Sequence, residues 1–300
     1  MGDGQPAFDY VAHADRRIHP TSSHCHLQAT KGCRKSSSLF RVILMRKVIL
    51  VTSVIYPDGA STLEHGSKRS AFQPSERLIQ TVGTFHSLLL QQPNAQILFC
   101  DASIPDFAEF FRQFFPQCGF LHLHKVDAPL AHLVRSCHNK TIGECHMLLS
   151  LWKAFRKEIS EADFVLKATG RYLYENLTDR YFTPDNLNRY LFQPEMSSDV
   201  RDWVDHRGFD WSLARSVKNP TAKRHVLRTI LYGFGRFKVS KFFASLFEIL
   251  FRLEQPAYKV YDIENMLPYV LAEDISNKEL VRTDWRCLGW NGVNGEFFRM

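Results

Sequence analysis

The sequence predicts an α/β domain built on an open, mostly parallel sheet flanked by helices, with a more helical C-terminal part. Three observations carry this expectation. Lys47 to Val54 is a continuous β-branched and leucine run of the kind that forms a strand buried on both faces. The stretch from Ser75 to Leu90 then places apolar residues at 78, 79, 82, 85, 88 and 89, which is helical spacing. Ala95 to Cys100 reads as a second short buried strand. Strand, helix, strand in that order is the mark of parallel pairing.

The elements follow in order. The first strand is bounded by Pro57-Asp-Gly59, and residues 58–75 form a polar loop. Ser75 is the expected N-cap of the first helix, with Pro93 beyond its end. Asp101 closes the second strand, Pro105 to Phe115 is a short aromatic helix, and Gly119 to Val126 reads as a strand. Thr141 to Lys157 is a helix whose Thr141 and Glu144 stand at capping-box spacing. Ala162 to Ala168 is a third buried strand that delivers Thr169-Gly170-Arg171-Tyr172 at its C-terminal end. In open α/β sheets ligands bind in the crevice outside those ends. Residues 175–222 are rich in Asp, Asn and Pro, with short strands expected. Lys223 to Arg252 reads as one or two helices, Tyr258 to Leu271 as another, and the remainder as loop around Gly289, Gly292 and Gly295. No internal repeat of solenoid period is present.

Composition bounds the function. At 300 residues, 45% hydrophobic and 23% charged, the chain is an ordinary globular sequence, neither collagen-like nor coiled-coil. Seven thinly spread cysteines, an odd number, argue for reduced thiols and a cytoplasmic location rather than a disulfide scaffold. No apolar run reaches the roughly 18 residues a spanning helix needs. The net charge of +7 is concentrated at the N-terminus: residues 1–47 hold eight Lys/Arg against three Asp, and the rest is close to balanced. A near-neutral body lacks the broad positive field of a nucleic-acid binder, so no nucleic-acid partner is expected.

Residues 1–44 are rich in Ser, His, Arg and Gly without apolar periodicity, and are expected to be a disordered extension preceding a domain that opens near Met45. His24-Cys25-His26 with Cys33 matches no closed zinc pattern, and Cys137-His138 with Cys145-His146 fares no better, so no metal ligands are assigned. Cys145 is expected to pack inward.

Four motifs then occur in sequence: Glu76-Arg77-Leu-Ile-Gln80-Thr81 in the first helix, Cys100-Asp101-Ala-Ser103 at a strand end, Asn139-Lys140-Thr-Ile-Gly143-Glu144 at a helix start, and Lys167-Ala-Thr169-Gly170-Arg171-Tyr172 at another strand end. In this order and spacing they resemble a poorly characterised group of GT-A-like glycosyltransferase proteins of surface-polysaccharide gene clusters. The resemblance covers about residues 46 to 176 and thins to Tyr232-Gly-Phe234 and the Ile263-Glu264 helix beyond. It implies a Rossmann-like GT-A-type sheet, a nucleotide-sugar donor as cosubstrate and a glycan or lipid-linked acceptor. It also implies a nucleotide-binding half over 45–180 and an acceptor-side, more helical half over 181–300. One departure bears on the metal. Metal-dependent members carry Asp-x-Asp at a strand end, where this chain has Lys167-Ala-Thr-Gly-Arg171, and Asp199-Val-Arg-Asp202 has the wrong spacing. A divalent cation is therefore left open.

Without a metal, cationic side chains must stabilise the leaving nucleotide. Arg171 offers a planar fork matched to phosphate oxygens and Lys167 a point charge; four apart on a strand, they would share a face, with Gly170 allowing close approach. Lys140 and Glu144 sit at a helix mouth that attracts anions, although capping and solvation explain them equally. Arg77 lies near the crevice at the start of the first helix, while Thr52 and Ser53 close the first strand and Tyr172 ends the last motif. Asp101 is placed to contact a ribose, or else to cap a turn. For the base, Asp202 in the acid-rich stretch Asp199–Asp210 (which also holds His206) and Glu264 are the candidates.

Other classes lack their signatures. No Gly-x-Gly-x-x-Gly follows the first strand, and neither a Gly-x-Ser-x-Gly elbow nor a Walker glycine loop occurs. A catalytically degenerate binding or scaffolding domain, and another nucleotide-dependent transferase, are the remaining alternatives. Phe110-Phe111, Phe114-Phe115 and Phe242-Phe243 are expected in the core. A membrane-facing surface for a lipid-linked acceptor, with peripheral membrane association, is the alternative for these runs.

Overall fold

The sheet forms where the apolar runs are longest. In the computed structural model, which describes residues 45–57, 70–195, 226–256, 258–259, 261–271, 279–290, 295 and 297–299, β1 (Lys47–Ser53) is buried along its whole length. It pairs in parallel with β2 (Gln96–Asp101) on one side and β4 (Phe164–Thr169) on the other. β3 (Gly119–His122) extends the β2 edge. Beyond β4 lie β7 (Val226–Gly235), β6 (Tyr190–Glu195) and β8 (Leu280–Arg282), giving the order β3-β2-β1-β4-β7-β6-β8. Within this sheet β7 runs against its neighbours and the other described strands are parallel, so the expected mostly parallel, Rossmann-like class holds. A second sheet joins β5 (Tyr172–Glu175), β9 (Arg286–Trp290) and β10 (Phe297–Arg299) in the order β10-β9-β5.

Alternation along each strand feeds two cores. Val48 and Leu50 pack with α5 (Lys140–Ala154), α7 (Val239–Leu253) and α8 (Ile263–Leu271) on one face. Ile49 and Val51 pack with α1 (Pro74–Gln91) and α2 (Ala108–Phe114) on the other. Phe85, Phe99, Phe111, Phe115 and Phe120 meet there at 5.0–6.2 Å between ring centres, an aromatic core rather than a surface. Phe242 and Phe243 are buried too, while Phe114 is exposed. Three short helices, α3 (Leu123–Val126), α4 (Ala128–Ser136) and α6 (Arg156–Ser160), complete the layer around α5. Among the described residues no helix is long and apolar enough to cross a membrane. All of these elements belong to the unit Leu44–Met300; the expectation for residues 1–44 lies outside the described residues.

Several elements differ from the sequence expectation, each for a physical reason. Residues 226–235, expected to be helical, form the longest strand. Antiparallel partners on both sides, β4 and β6, override its weak periodicity. Gly119–Val126 splits into β3 and α3. The C-terminal loop carries β8, β9 and β10. The first helix starts at Pro74, so Gln73 and not Ser75 is its cap, and the Gln73 N–H donates to the Glu76 carboxylate. Asn139, not Thr141, caps α5: its side chain accepts from the Thr141 N–H, so the Thr141/Glu144 box is not made and Glu144 is left for another partner.

Gly235 ends β7 with φ of −72°, a value any residue adopts. The requirement there is space, because a methyl group would overlap the backbone of Asn186 and Leu187. Gly235→Ala should therefore lower unfolding free energy by about 2–4 kcal/mol. Urea denaturation of the two proteins checks this, and an unchanged midpoint would contradict it.

Candidate functional site

β1 and β4 are neighbours whose following connections leave in different directions, β1 toward β2 and β4 away from it. A crevice opens at such a switch point, outside the C-terminal strand ends. Here it is a cleft of about 100 Å³. Thr52, Ser53 and Val54 come from the exit of β1, with Pro57 beyond them, and Thr169 and Arg171 from the exit of β4. α1 contributes Arg77; Val134 comes from α4, and Lys140, Gly143, Glu144 and Met147 from α5.

Small residues make the close approach possible. The Gly170 N–H donates to the Thr52 carbonyl at 3.1 Å, and a methyl at Gly170 would come within 3.0 Å of Ser53 Cβ. Thr81 on α1 donates to the Gly170 carbonyl at 2.9 Å, with its Oγ1 3.5 Å from Ser53 Oγ. The turn therefore carries Arg171 across the end of β1 toward α1. Arg77 is buried in the first turn of α1 and donates to Ser70 Oγ at 3.0 Å. Lys140 stands at the first position of α5, where the helix dipole adds positive potential. Three cations from three different elements thus line one cleft.

Lys167 is not among them. β4 ends at Thr169, so Lys167 and Arg171 do not share a strand face as their spacing suggested. The Lys167 side chain is 1% exposed and lies beneath the cleft. Its Nζ is 2.5 Å from Glu144 Oε1 and donates at 2.8 Å to both Thr169 Oγ1 and the Thr229 carbonyl. The Thr229 hydroxyl in turn donates to Glu264 Oε1. Tyr174 closes the group: its hydroxyl accepts from the Thr169 N–H at 2.8 Å and reaches the Thr169 and Ile230 carbonyls. Sequence reasoning missed Thr169 and Thr229 as members. Thr229 gave no signal, because its segment reads as helix.

The other candidates separate cleanly. Thr52, Ser53, Arg77, Lys140, Glu144 and Arg171 line the cleft together, and Gly170 shapes it. Asp101 does not line it. Its carboxylate accepts from the Ile55 N–H at 3.1 Å and from Ser103 Oγ at 2.8 Å, and Ser103 accepts from the Tyr56 N–H, so Asp101 anchors the loop that carries Pro57. Burial pushes its carboxyl up to about 6. Tyr172 is buried in the small sheet opposite Gly289, with the Arg171 guanidinium 5.7 Å from its ring. Glu264 sits behind Thr229 rather than in the cleft. Asp202, with Asp199, Asp205, His206 and Asp210, lies outside the described residues. Cys145 is buried, as expected.

No protein-family model and no curated protein matches this chain. Among solved structures it is similar to the galactosyltransferase LgtC in complex with donor and acceptor sugar analogs, at TM-score 0.41 and 10% identity over 79% of this chain and 73% of that one. Mouse xyloside xylosyltransferase 1 gives TM-score 0.40 and 9% identity over 80% and 85%. The 4-diphosphocytidyl-2C-methyl-D-erythritol synthase of Anaerococcus prevotii gives 0.40 and 11% over 79% and 87%. The chemistry is read from the cleft itself.

The buried network makes a pH prediction. Burial, with repulsion from Asp262, pushes the Glu264 carboxyl up to about 7, against the opposing hydrogen bond from Thr229. An unfolded glutamate titrates near about 4.3. Between those values the folded chain holds a proton the unfolded chain has lost, so this group's contribution to stability falls as pH rises through that window. Asp101 acts in the same direction up to about 6. Glu264→Gln stays neutral, so its melting temperature should fall less than that of the wild type between pH 5 and 8. Parallel melting profiles would contradict the assignment.

Proposed function

We propose that this protein transfers a sugar from a nucleotide-sugar donor to a glycan or lipid-linked acceptor. The observation that carries the reading is the convergence of Arg77, Lys140 and Arg171 on one cleft at the β1/β4 switch point. Three cations from separate elements can neutralise a diphosphate, and the Arg171 fork can take two phosphate oxygens at once. The anion also meets the N-terminal end of α5. Small residues, Thr52, Ser53 and Gly143, leave room beside it.

The chemistry follows from charge. As the bond between the sugar's anomeric carbon and the diphosphate oxygen breaks, negative charge grows on the leaving group. Cations already fixed by the fold stabilise that charge without reorganising. Glu144 is the one carboxylate among the described residues that line the cleft, and one of its oxygens is held by Lys167. In this reading the cations carry the leaving-group charge, residues 45–180 hold the nucleotide, and residues 181–300 face the acceptor. Asp101 acts indirectly, by fixing the loop that carries Pro57.

A thermal-shift screen of the full chain against UDP-, GDP-, CMP- and dTDP-sugars, each with EDTA and with manganese, tests this. At a hundredfold excess over Kd, the true donor should raise the melting temperature by about 5–10 °C with EDTA present. Arg171→Ala should weaken that donor 10- to 100-fold and leave the unliganded melting temperature within about 2 °C. No shift with any donor would contradict the reading. Turnover of a nucleoside triphosphate and a sugar phosphate to a nucleotide sugar and pyrophosphate, with no nucleoside phosphate released from any nucleotide sugar, would replace glycosyl transfer with nucleotidyl transfer.

A further inference from the structure

Glu144 is an acid in a cleft of cations, and the fold takes trouble to keep it there. It lies four residues after Lys140 on α5, on the same helix face, with its side chain 19% exposed. Its Oε1 is fixed by Lys167 Nζ at 2.5 Å. Lys167 Nζ also donates to Thr169 Oγ1 and the Thr229 carbonyl, on β4 and β7. Lys167 therefore cannot follow Glu144 if the helix end moves; it sets where the carboxylate sits. Apart from this ion pair, Oε1 is buried with no hydrogen-bond partner among the described residues.

An ionised carboxylate accepts hydrogen bonds and donates none. It repels a phosphate, so the part of a ligand it meets must be neutral and rich in hydroxyl groups. A nucleotide sugar has two such parts, the ribose and the transferred sugar. Lys167 pairs across the sheet with Tyr232, so it holds Glu144 over the β4–β7 seam, on the side of β1 away from β2. That is the side leading to the C-terminal half of the domain.

We infer that Glu144 reads the transferred sugar, accepting hydrogen bonds from its hydroxyl groups, and that Lys167 is the residue that positions it. The inference rests on the nucleotide-sugar reading of the cleft and adds which residue distinguishes the sugar. A charge-assisted bond to a hydroxyl favours a sugar that presents one there over an isomer that points it elsewhere. Lys167 touches no ligand in this arrangement.

Isothermal titration separates the two readings. The full chain is titrated with UDP against UDP-glucose and UDP-galactose, and with GDP against GDP-mannose. Glu144→Gln should weaken the preferred nucleotide sugar 10- to 100-fold and leave the matching nucleoside diphosphate within about twofold or bind it more tightly. Lys167→Met should show the same selective loss; should it fail to fold, Glu144→Gln on the helix end decides alone. Equal weakening of nucleotide sugar and diphosphate would overturn the inference in favour of ribose contact or a structural role, and unchanged affinity for both would overturn it outright. If the wild type binds neither ligand of any pair and no CMP- or dTDP-sugar raises its melting temperature, the nucleotide-sugar reading itself falls, and the inference with it.

Discussion

The buried Lys167 ammonium is the constraint on which the cleft depends. An ammonium left unpaired in the interior costs many kcal/mol, so the chain must surround it with fixed acceptors. It does so with Glu144 from α5, Thr169 from the end of β4 and the Thr229 carbonyl from β7. Those three acceptors join the helix, the last residue of the central parallel strand and the antiparallel strand beside it. Thr229 passes the connection to Glu264 on α8. One side chain thus fixes both the wall and the floor of the site.

The rest of the cleft follows from strand exits. β4 leaves the sheet at Thr169, and Gly170 crosses β1 at a distance that a methyl group would disturb. This delivers Arg171 toward Arg77, while the Asn139 cap starts α5 so that Lys140 and Glu144 face the same space. On the other flank, Asp101 and Ser103 tie the backbone of Ile55 and Tyr56 to the end of β2. Their polar groups support the loop rather than line the cleft. A cation-lined space with a single anchored acid among the described residues is the result.

Much of this was legible in the sequence, and the failures share a cause. β1, α1, β2 and β4 were readable because their runs are long and bounded by Pro, Asp or Gly. So were Arg77, Lys140, Glu144 and Arg171, which lie at element ends near those strand exits. β7 was not, because its apolar run flows into α7 after only a short turn, and pairing with β4 and β6 decides its form. The small sheet escaped because its strands are three to five residues long. Lys167 carried a signal that spacing alone misreads. A lone lysine inside Phe-Val-Leu-Lys-Ala points to a buried, paired charge, yet its partner Thr229 is 62 residues away and could not be named.

The position of a bound diphosphate tests the central claim most directly. A crystal structure of the full chain with the tightest-binding nucleotide sugar would locate it. The account predicts phosphate oxygens within hydrogen-bonding distance of Arg171, flanked by Lys140 and Arg77, with the sugar hydroxyl groups toward Glu144. A diphosphate seated anywhere else on the molecule would contradict it.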